Sequence, residues 1–153
     1  MALEIERKFL VDPEKWRPSG KGEQIIQAYL SIGPASTVRV RIKGERAFLT
    51  IKGRSTTIAH PEFEYGIPVD DARELVNLAV PGVVEKIRYE VDYKGFIWDV
   101  DVFQGKNAGL LMAEIELASE AQVFPYPEWL LEEVSGDNRY FNSYLSAHPF
   151  QDW

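Results

Sequence analysis

Along this chain side chains of like charge recur two residues apart, most tellingly at Glu4/Glu6, Arg39/Arg41, Glu62/Glu64, Lys86/Arg88, Asp99/Asp101 and Glu114/Glu116. Each pair lies in a stretch where apolar and polar residues alternate, as in Leu3–Val11 or Thr37–Lys43. Period-two alternation is the signature of a β-strand with one wet face, and residues i and i+2 then project the same way, roughly 6.6 to 6.8 Å apart. Like charges at that spacing repel. An ordinary solvated face avoids them by mixing Thr, Ser, Gln and Lys, so the pattern needs something to neutralise it.

Two physical situations do so. Clustered carboxylates are neutralised by a hard cation such as Mg²⁺ or Mn²⁺, which prefers oxygen ligands. Clustered guanidinium and ammonium groups are neutralised by a polyanion, and the guanidinium fork matches phosphate oxygens. Both clusters in one domain favour a metal-bound polyphosphate held between an acidic and a basic wall. The competing reading is a structural network in which the two walls pair only with each other.

The remaining alternation predicts further strands at 25–32, 47–52, 60–67, 83–89, 90–93, 96–103 and 112–118. Lys43–Arg46 and Lys94-Gly95 read as hairpin links. Asp70–Ala79 breaks the pattern. Ala72, Leu75, Val76 and Ala79 fall at helical spacing behind an acidic first turn, with Pro81-Gly82 as the stop. Short helices are expected after Pro127 and over 139–147. No linker or low-complexity stretch divides the 153 residues, so one domain spanning 1–153 is expected, built as a closed barrel or a sandwich.

Bulk properties narrow the function. The formal charge of −7 opposes nonspecific nucleic-acid binding, which needs a basic face. With no cysteine there is neither a disulfide framework nor thiolate chemistry. No apolar run approaches the ~20 residues of a membrane span, and the charged start from Glu4 does not read as a signal peptide. The expectation is a cytoplasmic enzyme or binding protein with no membrane or nucleic-acid partner. Gly105–Gly109 lacks the Gly-Lys-Ser/Thr ending of a P-loop and reads as a turn. Trp16, Trp98 and Trp129 read as packing residues, and His60 and His148, each isolated before a proline, as bystanders. Tyr29 shares parity with Gln27 and is expected to line the interior.

Glu4-Ile5-Glu6-Arg7-Lys8-Phe9-Leu10 resembles the ExExK signature of the CYTH, or triphosphate tunnel metalloenzyme, family. Gln27–Leu30, Arg39–Arg41, Thr50–Lys52, Glu62–Glu64, Lys86–Arg88, Trp98–Phe103 and Glu114–Glu116 follow in the family's order. The segment Val134–Asn142 resembles the C-terminal part of small bacterial members, so the likeness covers essentially the whole chain. One departure is Ala28, where the family often has glycine.

The resemblance implies a mainly β (α+β) fold, an eight-stranded antiparallel β-barrel or tunnel with a polar interior and a few flanking helices. It implies hydrolysis of a triphosphate, foremost inorganic tripolyphosphate, with Mg²⁺ or Mn²⁺ as cofactor. Glu4, Glu6, Glu114 and Glu116 are the implied metal ligands and, with Lys8, the implied catalytic set; Asp101 is a further contributor to the metal. Lys8, Arg39, Arg41, Lys52, Lys86 and Arg88 are implied phosphate contacts. Arg139 either reaches a terminal phosphate or is a surface residue, and Glu62 and Glu64 either support the basic side chains or help hold a second ion. A nucleotide triphosphatase, a class IV adenylate cyclase and a non-catalytic polyphosphate- or nucleotide-binding module remain alternatives. Family members often form homodimers, and no pattern here marks such a contact surface.

Overall fold

The structure is a computed structural model that describes residues 3–54, 58–79 and 82–153. Nine strands form among these residues: β1 (Leu3–Val11), β2 (Glu23–Ile32), β3 (Ser36–Lys43), β4 (Arg46–Gly53), β5 (Ala59–Ile67), β6 (Val84–Tyr93), β7 (Phe96–Phe103), β8 (Leu111–Glu116) and β9 (Leu130–Glu133). All pairings are antiparallel, in the order β5-β4-β3-β2-β6-β7-β8-β1, and β1 returns to β5. Eight strands therefore close into a barrel, as the resemblance implied. Helix α1 (Val69–Asn77) packs outside, and α2 (Asn142–Ala147) follows a 3₁₀ turn at Asn138–Tyr140.

Alternation decides what each face buries. Phe9, Val11, Trp98, Val100, Ala113 and Ile115 point outward and pack under the segments carrying Trp16, Leu117 and Phe124. Trp98 is fully buried there, edge-on to Phe9, Phe124 and Trp129, so Trp98→Ala would cost about 3–5 kcal/mol. A second outer core forms where Ala72 of α1 meets Ala28, Val40 and Ala47. Ala28 is fully buried at that contact, which accommodates its methyl group.

The third core lies within the barrel. Leu10, Val84, Phe103 and Met112 continue the inward parity of the charged residues and pack against Leu110, Val134 and Leu145. The interior is thus a charged layer over an apolar floor. Gly82 lets the C-terminal segment settle there. Its φ is +102°, and a Cβ would stand 1.5 Å from the Ser146 carbonyl oxygen.

Two expectations are corrected. Positions 84–93 form one strand, paired with β7 continuously over Lys86–Tyr93, rather than two pieces. The segment after Pro127 is not helical: a turn at Glu128–Trp129 leads into β9. β5 occupies the edge of β1 only at Leu3–Ile5, and β9 takes the same strand at Phe9 and Val11. Backbone groups left open along an edge need partners, and this need outweighs the local preference of a Leu-Leu-Glu-Glu run. The predicted helix at 70–79 is present as α1, and Pro81, its expected stop, lies outside the described residues. No helix among the described residues is long and apolar enough to cross a membrane.

Candidate active site

The barrel encloses a cavity of about 990 Å³ whose wall is built by the inward residues of β1 to β8 and by the C-terminal segment. Seven lysines and arginines and six carboxylates line it. In a chain of formal charge −7, this is a local enrichment in positive charge.

Strand register sets the acidic part. Glu4 stands opposite His60 across β1 and β5, and the two meet at 2.8 Å, His60 Nε2 to Glu4 Oε1. Glu6 faces Glu116, and Lys8 faces Glu114, across β1 and β8. Glu114 in turn neighbours Asp99 on β7. One ligand atom each from Glu4, Glu6 and His60 lie within 4.8 Å of one another.

Their electrostatics reflect crowding. Burial pushes Glu6 above the usual carboxylate range, and the neighbouring Glu114 charge adds to it. Burial, a hydrogen bond with Glu4 and the Glu4 charge push Glu62 up to about 8. Burial also opposes ionisation of Glu4, but hydrogen bonds from His60 and Glu62 and the charge of Lys52 outweigh it and hold Glu4 low. Glu4 and Glu62 thus divide one proton between them, Glu4 ionised and Glu62 protonated. Crowded carboxylates joined by an imidazole make an oxygen-rich donor set that fits a hard divalent cation.

The basic part is held at two distances. Arg88 grips both oxygens of Asp101 at 2.8 and 2.9 Å, and Lys86 Nζ reaches the same carboxylate at 2.8 Å. Arg41 Nε donates to Gln27 Oε1 at 2.9 Å. The other cations are loosely held: Lys8 lies 3.8 Å from Glu6 and 3.7 Å from Glu114, and Arg39 lies 3.9 Å from Glu62. Arg39 is 6% exposed, and its Nε has no hydrogen-bond partner among the described residues. A buried donor left open is costly.

Burial pulls Arg41 down to about 10, with the charges of Arg39 and Arg88 acting the same way. It also pulls Lys86 down to about 7, although Asp101 is in contact. Burial outweighs the Asp101 charge, which opposes the fall, and the charges of Arg88 and Arg41 add to it.

The CYTH domain profile matches residues 2–142. The chain belongs to the CYTH family. It is 43% identical over 154 residues to an inorganic triphosphatase of Acetivibrio thermocellus, spanning 100% of this chain and 99% of that protein. An inorganic triphosphatase of Nitrosomonas europaea is 35% identical over 150 residues, covering 94% and 96%. The crystal structure of an inorganic triphosphatase with 35% identity superposes with a TM-score of 0.67 over 94% of this chain and 93% of the other. A putative adenylate cyclase of Bacillus halodurans, 19% identical, shares the fold at a TM-score of 0.54 over 78% and 84%.

Within this CYTH barrel, Glu4, Glu6, Lys8, Tyr29, Arg39, Arg41, Lys52, Glu62, Lys86, Arg88, Glu114 and Glu116 all line the cavity, with Glu116 at its exposed margin. Three expected residues stand elsewhere. Asp101 sits one layer deeper, level with Met112, and is 1% exposed. Its oxygens are taken by Arg88 and Lys86, which places it as their counter-ion beneath the cavity wall. Arg139 is exposed, paired with Asp137 at 2.7 Å and stacked over Trp153; it does not line the cavity. Glu64 is exposed and accepts from Thr50 Oγ1 at 3.3 Å behind Arg39. Reading the sequence missed His60, Gln27 and Asn142. The first two were within reach of parity, since His60 precedes Glu62 by two residues and Gln27 precedes Tyr29 by two.

Proposed function

We propose that the protein is a divalent-metal-dependent inorganic triphosphatase that cleaves tripolyphosphate to pyrophosphate and phosphate. The observation that carries the reading is the juxtaposition, in one enclosed cavity, of a crowded carboxylate–imidazole cluster with cations whose donors are incompletely used. The relatives named inorganic triphosphatase, matched over nearly their full length, support the same substrate class.

Glu4 and Glu6 on one side, and Glu114 and Glu116 on the adjoining strand, would hold the ion or ions, with His60 as an added nitrogen donor. When bound, Mg²⁺ or Mn²⁺ neutralises phosphate oxygens and acidifies water. Lys8, Arg39, Arg41, Lys52, Lys86 and Arg88 would bind the phosphate chain and stabilise the charge that shifts to the leaving pyrophosphate. Phosphoryl transfer asks mainly for positioning and charge stabilisation, which a rigid barrel supplies. Water adds to the terminal phosphorus, the bridging P–O bond breaks, and the proton lost by water must be taken up nearby. A carboxylate lining the cavity would take that proton.

The test is a panel of tripolyphosphate, ATP, GTP and thiamine triphosphate with Mg²⁺ or Mn²⁺ and product identification. Orthophosphate with pyrophosphate, formed fastest from tripolyphosphate and lost on chelation, is the expected result. Cyclic AMP as the main product, or tight binding without turnover, would refute it.

A further inference from the structure

The C-terminal segment sends one polar side chain into the wall of the cavity. Asn142, the first residue of α2, is 8% exposed and lines the cavity. Its Oδ1 accepts from Lys86 Nζ at 2.9 Å and from Gln27 Nε2 at 2.9 Å. Gln27 is fully buried, and its own Oε1 accepts from Arg41 Nε at 2.9 Å. Lys86 continues to Asp101, which takes Arg88. One hydrogen-bonded chain therefore runs from Arg41 through Gln27, Asn142, Lys86 and Asp101 to Arg88, and its three cations all line the cavity.

The position of Asn142 is fixed independently of these bonds. Leu145 of the same helix is fully buried in the apolar floor, and the Ser146 carbonyl sits where only a glycine at position 82 allows it. A side-chain amide is also suited to the place chemically. It offers one oxygen to a lysine and a glutamine without adding charge to a wall meant for an anion.

We propose that Asn142 is a positioning residue, which sets the Lys86 amine and, through Gln27, the Arg41 guanidinium, so that the phosphate-facing cations reach working geometry only when the C-terminal segment is seated. The proposal rests on the triphosphatase reading above. It acts through other residues, so its signature is shared loss and not loss of a direct contact.

The test compares Asn142→Leu, Gln27→Leu, the double variant and Asn142→Asp in tripolyphosphate hydrolysis, with thermal melting alongside. Misplacing a reacting group by about 1 Å can cost up to roughly 100-fold, so each leucine variant is expected to lose about 10- to 100-fold in kcat/KM. The double variant should be no worse than the poorer single one, because both cut the same chain. Asn142→Asp keeps an acceptor oxygen but adds a negative charge to the anion-binding wall, so it should recover only part of the loss. Folded Asn142→Leu with wild-type kcat/KM, or losses that multiply in the double variant, would overturn the proposal. If Asn142→Leu does not melt cooperatively, Asn142→Ser, too short to reach both donors, takes its place with the same expected loss. A wild-type chain that does not hydrolyse tripolyphosphate would instead remove the triphosphatase reading itself, and that control is run first.

Discussion

Asp101→Asn separates a counter-ion from a metal ligand. The carboxylate makes three contacts of 2.8 to 2.9 Å to two buried cations, and one amide oxygen can replace part of this but none of the charge. Stripping one partner from a buried ion pair costs about 3–5 kcal/mol. Arg88 cannot deprotonate, but it keeps Asp99 at 3.5 Å and Glu114 at 3.8 Å. Lys86 can escape by losing its proton. With a starting pKa of about 7, that escape costs little at pH 7 and on the order of 1 kcal/mol more at pH 6.

The expected deficit is therefore near the low end, about 3 kcal/mol at pH 7, growing by about 1 kcal/mol at pH 6. For a domain of this size, the pH 7 value corresponds to a fall in Tm of roughly 6–12 °C. Urea denaturation and calorimetry at the two pH values, without metal, measure it. Tripolyphosphate added without metal should narrow the gap by supplying the missing negative charge. A metal ligand would behave otherwise, with a normal metal-free stability and a weakened metal affinity. A metal-free deficit below about 1 kcal/mol, or one that does not grow on acidification, would refute the assignment.

Four further outcomes are expected. Glu6→Gln and Glu116→Gln should each abolish tripolyphosphate turnover while circular dichroism and melting show the barrel intact, and chelation should do the same to the wild type. Arg39→Gln should weaken tripolyphosphate binding by calorimetry about 10-fold or more, the effect of losing a charge-assisted contact worth roughly 1.5–3 kcal/mol. Glu62 has a folded pKa of about 8, above its ordinary value, so its contribution to stability is complete at low pH and disappears as pH rises through 8; Glu62→Gln should flatten the decline in stability between pH 4.5 and 8. Arg7→Ala removes an outer-surface pair with Glu133 at 2.9 Å and should cost below about 1 kcal/mol in melting experiments, with kcat/KM unchanged.

Strands and inward faces were legible because period-two alternation survives on a barrel whose outer face is the core. Phe9, Trp98 and Ile115 had to be outward if Glu6, Asp99 and Glu114 were inward. Depth was not legible. Asp99 and Asp101 have the same parity, but only register reveals that the first faces the cavity while the second lies level with Met112. β9 was hidden for a related reason, since its conformation is fixed by the part of the β1 edge that β5 leaves uncovered. His60 was readable in principle from its parity with Glu62, whereas nothing local marks Asn142: its role arises from the seating of α2, decided by Leu145 and Gly82.

The like-charge pairs that open the sequence take on a further meaning once the strands are closed. Within each pair the signs agree, but several neighbouring strands bring opposite signs into register, as Lys8 with Glu114, Lys52 with Glu62 and Arg88 with Asp101. A structural network and a ligand site are then two states of one arrangement. Without ligand, each loose cation has a carboxylate nearby: Lys52 is 3.3 Å from Glu4, 3.9 Å from Glu62 and 4.0 Å from Glu6. Such contacts give Coulomb balance while leaving most N–H donors unspent. Under the proposed function, a phosphate chain entering with its cation would turn the donors to phosphate oxygens and the carboxylates to the cation. Both walls would exchange partners, so that most of the cavity's charges stay compensated at either stage. A wall of lysine and arginine alone would bind the anion as well, but the free protein would have to fold around seven mutually repelling cations. Interleaved signs avoid that cost, which is why the carboxylates exceed what metal ligation alone would require.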